Sequence, residues 1–107
     1  PEMANYVYFG ALLGDNIIAI ASLCVINMVP RPHKVIDQFG YLTNVYTIPQ
    51  YRSQGIGSQL IKFIHDYAVT QDLELLLVWP SDESIEFYKS LGYCMEGQPL
   101  MKKLREY

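Results

Sequence analysis

Cysteine is scarce in this chain of 107 residues, which holds Cys24 and Cys94 and no others. The two have neither metal-ligand grouping nor a Cys-x-x-Cys redox spacing. With no signal-peptide pattern in the sequence, they read as reduced core or near-core thiols of a cytoplasmic protein; the alternative is a secreted chain with one disulfide. Positive charge is also short: 8 Lys and Arg stand against 11 Asp and Glu, a net charge of −3. Without a basic stripe to displace counterions, a nucleic-acid partner is not expected. The one local excess, Lys102, Lys103 and Arg105, reads as solvated surface near the C-terminus. No apolar run reaches membrane length either. Ile17 to Val29 is 13 residues, where a spanning helix needs about 20, and its β-branched content after a turn cluster favours a buried strand. No membrane association is expected. The first residue is Pro1 and not Met, as in a processed or trimmed product.

What is present describes one globular domain over residues 1–107, with 50% apolar and 18% charged residues and enough length for a single core. Tyr6 to Leu13 reads as a strand whose Gly10 marks a bulge or kink. Gly14-Asp15-Asn16 is a hairpin turn, and the second arm runs from Ile17 to about Met28. Pro30 and Pro32 end that arm and open a loop with Arg31, His33 and Lys34. Phe39 to Ile48, stopped by Pro49, is the third strand. From Ile56 the period becomes helical, with Ile56, Leu60, Phe63, Ile64 and Tyr67 on one face. Leu73 to Trp79 is almost wholly apolar, as in a strand covered on both faces. Ser81 is a candidate N-cap for a second helix carrying Ile85, Phe87, Tyr88 and Leu91, with Gly92 as its C′ residue. Two short strands, Tyr93–Glu96 and Leu100–Leu104, close the chain. The order β-β-β-α-β-α-β-β implies an α/β domain of the α+β type, with a mixed sheet and helices against it.

The stretch PQYRSQGIGSQL, residues 49–60, joins a strand to a helix and spends Gly55 and Gly57 at the junction. A helix start offers unpaired N–H groups and partial positive charge, and glycine lets an anion approach the backbone. Arg52 adds a cation. The physical reading is a diphosphate cradle of amides from about Gln54 to Ser58; the plain alternative is an ordinary tight turn. There is no Gly-Lys-Ser/Thr for a Walker-type loop and no Gly-x-Gly-x-x-Gly with a later acidic ribose binder.

Arg52-Ser53-Gln54-Gly55-Ile56-Gly57 resembles the Arg/Gln-x-x-Gly-x-Gly/Ala signature of the GNAT superfamily of acyl-CoA-dependent N-acetyltransferases. VYTIPQYR upstream is similar to that family's strand-Pro-x-x-Arg lead-in. SIEFYKSLGY, Ser84 to Tyr93, resembles its second signature, and one helix and one strand separate the two. The resemblance spans roughly Ile17 to Leu104. It implies a mostly antiparallel sheet with a splayed strand pair and two packed helices, and acetyl-CoA as co-substrate with no metal. It places Arg52, Gln54, Gly55, Ile56, Gly57 and Ser58 at the diphosphate. Val45 and Thr47 fall at the pantetheine arm, the Val45 backbone also at the acetyl oxygen. Tyr88 falls near the sulfur as general acid, with packing as its plain alternative.

Three departures matter. Ser81 occupies a position where the family often has an Asn on the pantetheine, so it serves as cofactor contact or only as cap. No carboxylate lies between Gly40 and Ile48, where many members keep a general base, which leaves Asp37, His33 or a water held by Asn44 and Tyr46. His65 reads as surface. The chain also begins near the family's second strand, so the opening strand and two helices that wall the acceptor pocket are expected from a longer product or a partner, or else the acceptor site is open. Strand edges so exposed make a homodimer an expectation. Two functions follow: transfer of acetyl from acetyl-CoA to a primary amine, or an acyl-CoA-binding module without catalysis.

Overall fold

The computed structural model describes residues 4–27, 38–95, 102 and 104. Three long strands, β1 (Ala4–Leu13), β2 (Asn16–Asn27) and β3 (Gln38–Thr47), form an antiparallel meander, and a short β4 (Leu76–Val78) adds in parallel beside β3. Helix α1 (Ile56–Thr70) connects β3 to β4, and α2 (Ile85–Ser90) follows β4 after a 3₁₀ turn, Asp82–Ser84. The mixed, mostly antiparallel sheet with two packed helices is the expected architecture. Of the two expected closing strands, Tyr93 to Met95 run without strand structure, and most of the remainder lies outside the described residues. The loop from Val29 to Asp37, with Arg31, His33 and Lys34, also falls outside them.

Both helices lie on one face of the sheet. Alternation places Ala19, Ala21, Leu23 and Val25 of β2 and Leu42 of β3 under Leu60, Ile61 and Ile64 of α1, with Tyr88 of α2 completing the cluster. Leu23, Leu42, Ile61 and Ile64 are less than 2% exposed, each worth about 1.5–3 kcal/mol in burial. The buried stripe of α1 is Leu60, Ile61, Ile64 and Ala68, which corrects the expected face: Phe63 is 62% exposed. It reaches towards the outer strand and meets Phe9 edge-on at 6.1 Å, where there is too little sheet to cover it.

On the opposite face Ser22 and Cys24 of β2 are buried, but β4 is open. Leu75, Leu77 and Trp79 are 48%, 40% and 64% exposed, so β4 is covered on one face only and is far shorter than its apolar sequence suggests. The register shift near Gly10 is real but is carried by the partner strand: Ala11 pairs Ala19 and Leu12 pairs Ile17, which leaves Ile18 as the extra residue. Cys24 is buried, whereas Cys94 is exposed, contrary to its reading as a near-core thiol.

Gly40 is required by close approach. A Cβ there would sit 2.6 Å from Leu76 Cδ2 and 2.8 Å from Leu23 Cδ1. Gly40→Ala should therefore destabilise the fold by about 1–3 kcal/mol through overpacking. Urea unfolding measures this, and an unchanged midpoint would contradict the tight β3–β4 contact.

Candidate active site

The two parallel strands part company. β3 and β4 pair only from Gly40/Leu76 to Leu42/Val78, after which β4 ends and β3 runs on to Thr47. The result is a crevice beyond the carboxyl ends of parallel strands, a recurrent ligand position in open α/β sheets.

A bulge decides which backbone groups of β3 face that crevice. Ser22 pairs Thr43 but Ile20 pairs Tyr46, so β3 carries one extra residue, and Asn44 takes a left-handed φ of 54° there. Before the bulge, Gly40 donates its N–H to Leu75 O, towards β4, at 3.0 Å. After it, Ile48 donates to Ile18 O, towards β2, at 2.9 Å. Since successive residues of a strand point their amides to opposite sides, Tyr46 faces β2, and Val45 and Thr47 turn their backbone groups to the crevice. An unshifted strand would have presented the even-numbered residues instead.

At the end of β3 a 3₁₀ turn, Pro49–Tyr51, leads into the glycine stretch. Arg52 Nε donates to Thr47 O at 2.9 Å, and the guanidinium lies 5.2 Å from the centre of the Tyr46 ring. Arg52 thus ties the turn to the strand and occupies the Thr47 carbonyl, leaving the Thr47 amide for the crevice. Gln54 Nε2 donates to Gln50 O at 3.2 Å, so that side chain also stiffens the turn. Ser53 and Gly55 both have positive φ, 63° and 82°, and Gly55 is the N-cap of α1. Such turns converge successive amides into an anion-binding concavity. The ladder of α1 begins with Gln59 N–H to Gly55 O at 3.0 Å. Among the described residues, the amides of Gln54, Gly55, Ile56, Gly57 and Ser58 have no main-chain acceptor.

The two glycines have different reasons. Gly55 supplies a conformation that L-residues rarely adopt. Gly57 is not demanded by packing, because a Cβ there would meet nothing nearer than Thr47 Oγ1 at 3.6 Å and Phe87 Cζ at 3.8 Å. The space it leaves open lies between the end of β3 and α2.

Tyr88, the next residue of α2 after Phe87, is 6% exposed and belongs to the core cluster. Phe87 and Tyr93 pack on it edge-to-face, at 5.1 Å and 5.4 Å between ring centres. Its hydroxyl has no hydrogen-bond partner among the described residues, and burial raises its pKa above the usual phenol value. A Schellman motif ends α2: Gly92 has φ 98°, Gly92 N–H donates to Lys89 O, and Tyr93 N–H to Tyr88 O. Ser81 precedes the 3₁₀ turn but makes no side-chain cap. Its hydroxyl instead shares a 3.0 Å hydrogen bond with Ser84 Oγ, which corrects the capping role.

His65 is the feature that sequence reasoning missed. It is half-buried and its Nε2 lies 2.9 Å from Tyr93 Oη, so it is no plain surface histidine. The two lie 28 positions apart, and no local pattern announces the pair. Burial lowers the His65 pKa against an opposing pull from Asp66, and burial, then the neighbouring Tyr88, pushes Tyr93 up to about 12.

Asp37 and His33, two candidates for a general base, lie outside the described residues; Asn44 and Tyr46 are exposed. A groove of about 430 Å³ lies between β1 and α1, lined by Tyr8, Phe9, Gly10, Ala11, Ile56, Gln59, Leu60 and Phe63, and so adjoins the start of α1 on its β1 side. No charged side chain lines it. Among the described residues no three His, Cys, Asp or Glu side chains group as a metal site, and no helix is long and apolar enough to cross a membrane.

Comparison with known proteins gives concordant results. The profile of the acetyltransferase (GNAT) family matches residues 2–93. The chain is 36% identical over 55 residues to thialysine N-epsilon-acetyltransferase of Bos taurus, a match covering 49% of this chain and 32% of that protein. A predicted acetyltransferase from Clostridium acetobutylicum, solved with acetyl-CoA, superposes with a TM-score of 0.80 at 25% identity, over 92% of this chain and 64% of that one. A GCN5-related N-acetyltransferase from Ralstonia eutropha superposes at 0.76 with 21% identity, over 95% and 65% respectively, a likeness of fold alone. The chain thus matches about a third of the length of its curated relatives.

Proposed function

The chain belongs to the acetyltransferase (GNAT) family, and from that premise we propose that it binds acetyl-CoA in the crevice beyond Leu42 and Val78 and passes the acetyl group to a primary amine. One observation carries the reading: five consecutive amides, Gln54 to Ser58, stand without main-chain acceptors at the start of a 15-residue helix. They are the donors a diphosphate needs, and the helix dipole adds to their attraction. The likeness to a structure solved with acetyl-CoA supports the same ligand. In this reading Gly57 keeps the backbone clear for the phosphates, and the Arg52 guanidinium contributes charge from the rim. The amides of Val45 and Thr47 pair with the peptide-like pantetheine arm, as a strand edge pairs with an added strand, and Ser81 lies beside its path.

The chemistry follows from these positions. The amine nitrogen attacks the thioester carbon, and the carbonyl π pair moves onto oxygen. The Val45 N–H, turned outwards by the bulge, donates to that oxyanion. Collapse restores the carbonyl and breaks the C–S bond, while the Tyr88 O–H gives its proton to the departing sulfur. The raised pKa of Tyr88 keeps that proton in place until it is needed. With no carboxylate from Gly40 to Ile48, the proton of the attacking nitrogen leaves to water beside the exposed Asn44 and Tyr46, and solvent reprotonates Tyr88. Holding both reactants in line supplies much of the rate, since orientation alone can be worth about 7–11 kcal/mol in model systems.

The test is turnover. Release of CoA thiol from acetyl-CoA is followed against a panel of polyamines, amino acids, aminoglycosides and peptides, with thialysine included because a relative's name points to it. Amine-dependent thiol release with acetylated product is expected. Tight CoA binding with no amine acetylated would favour a non-catalytic acyl-CoA-binding module.

A further inference from the structure

The proton donor and the phosphate cradle ride on different elements. The cradle opens α1, whereas Tyr88 belongs to the six-residue α2, too short to hold its own geometry. Something must fix one against the other. Packing does part of this, since Tyr88 lies in the core beside Leu60, Ile61 and Ile64. Apolar contact, however, is non-directional and leaves ring orientation loosely set. Among the described residues a single hydrogen bond joins α1 to the α2 segment, and it is the one between His65 and Tyr93.

We infer that His65 is a positioning residue for Tyr88: by bonding the Tyr93 hydroxyl it locks the Tyr93 ring, whose placement in turn fixes the Tyr88 ring. This rests on the reading of Tyr88 as proton donor. The chain of contact has three links. His65 Nε2 and Tyr93 Oη are 2.9 Å apart, with the two rings tilted by 44°. Tyr93 is held at its other end by its own N–H, which donates to Tyr88 O at 3.1 Å. Its ring then stands at 74° to that of Tyr88 with centres 5.4 Å apart, an edge-to-face arrangement with a preferred geometry. Fixed at backbone and hydroxyl, Tyr93 cannot swing away. Tyr88, whose hydroxyl has no partner among the described residues, takes its orientation from the rings on either side, Phe87 and Tyr93.

Protonation states agree with this arrangement. Tyr93 keeps its proton and the half-buried His65 favours the neutral ring, so the pair is joined by a neutral hydrogen bond, with the Tyr93 O–H donating to Nε2 in one imidazole tautomer and Nε2–H donating to Tyr93 Oη in the other.

The test compares four variants of the same chain with wild type. With an amine accepted in the turnover assay, His65→Phe and Tyr93→Phe should each lower kcat about tenfold. KM for acetyl-CoA should stay within about twofold, because the cradle is untouched. The double variant should lose no more than either single one. His65→Gln, whose terminal amide stands near the place of Nε2 and can either accept from or donate to the Tyr93 hydroxyl, should restore kcat to within about twofold of wild type. In parallel, NMR of ring-labelled tyrosines reads the Tyr88 flip rate with no acceptor present. Slow flips are expected in wild type and His65→Gln, and faster flips in His65→Phe and Tyr93→Phe. Tyr88→Phe separates the two readings. If it is impaired while His65→Phe and Tyr93→Phe match wild type in kcat and flip rate, the positioning role is overturned and the donor reading stands. If it turns over normally, the donor reading fails, and positioning for catalysis fails with it, whatever the flip rates show. Additive losses in the double variant, or equal losses in His65→Gln and His65→Phe, would reduce the pair to general packing and overturn the inference.

Discussion

Gly57→Glu should weaken CoA binding by at least about a hundredfold, roughly 2.7 kcal/mol, while the free protein becomes no less stable. The two halves of this expectation have separate causes. In the free chain the new side chain has room, since its Cβ meets only ordinary contacts at 3.6 and 3.8 Å. Gly57 is the second residue of α1 after the Gly55 cap. Replacing glycine there removes a helix penalty of up to about 1 kcal/mol, and an acidic group in the first turn complements the dipole. With ligand, the same carboxylate stands where the diphosphate would lie and repels it. Calorimetric titration with CoA and a thermal melt together make the measurement. Undiminished affinity would remove the diphosphate from this turn, whereas a collapse in melting temperature would mean that packing had required the glycine after all.

The second large effect is on rate. Tyr88→Phe should lower kcat about a hundredfold or more, the lower end of what a positioned general acid contributes, with KM for acetyl-CoA little changed. Stability should not suffer, because the hydroxyl removed has no partner to orphan. The ring, its core packing and its contacts with Phe87 and Tyr93 all persist in phenylalanine. A variant as fast as wild type would make Tyr88 a core aromatic and nothing more. A loss confined to KM would make it a binding residue.

Much of this frame is legible in the sequence because its signals are local. The β-branched runs, the Gly14-Asp15 turn, the change to helical period at Ile56 and the Gly92 stop each act within a few residues, and each appears in the structure near its expected place. The proposed cradle rests on local signals too, since αL glycine, turn and helix start are consecutive. What escapes is set by distant neighbours. The helical period could not tell that Phe63 points past the outer strand while Ile61 sits over the middle of the sheet. An apolar run such as Leu73–Trp79 reads as doubly covered, yet coverage depends on what packs on each face, and one face here is open. The bulge at Asn44 leaves no mark in a strand-like sequence, although it decides that Val45 and Thr47 and not their neighbours address the crevice. Arg52 matches the expected cation by type, but its bond to Thr47 O gives it a structural duty that spacing does not reveal.

The account depends on main-chain nitrogens of the β3–α1 junction gripping the diphosphate. Amide chemical shifts during titration with CoA, compared with titration by pantetheine, which lacks that group, test this most directly. With CoA, the largest changes should fall on Gln54 to Ser58, followed by Val45 and Thr47; with pantetheine, Val45 and Thr47 should respond while Gln54 to Ser58 stay still. Equal shifts at Gln54 to Ser58 with both ligands, or none with CoA, would contradict it.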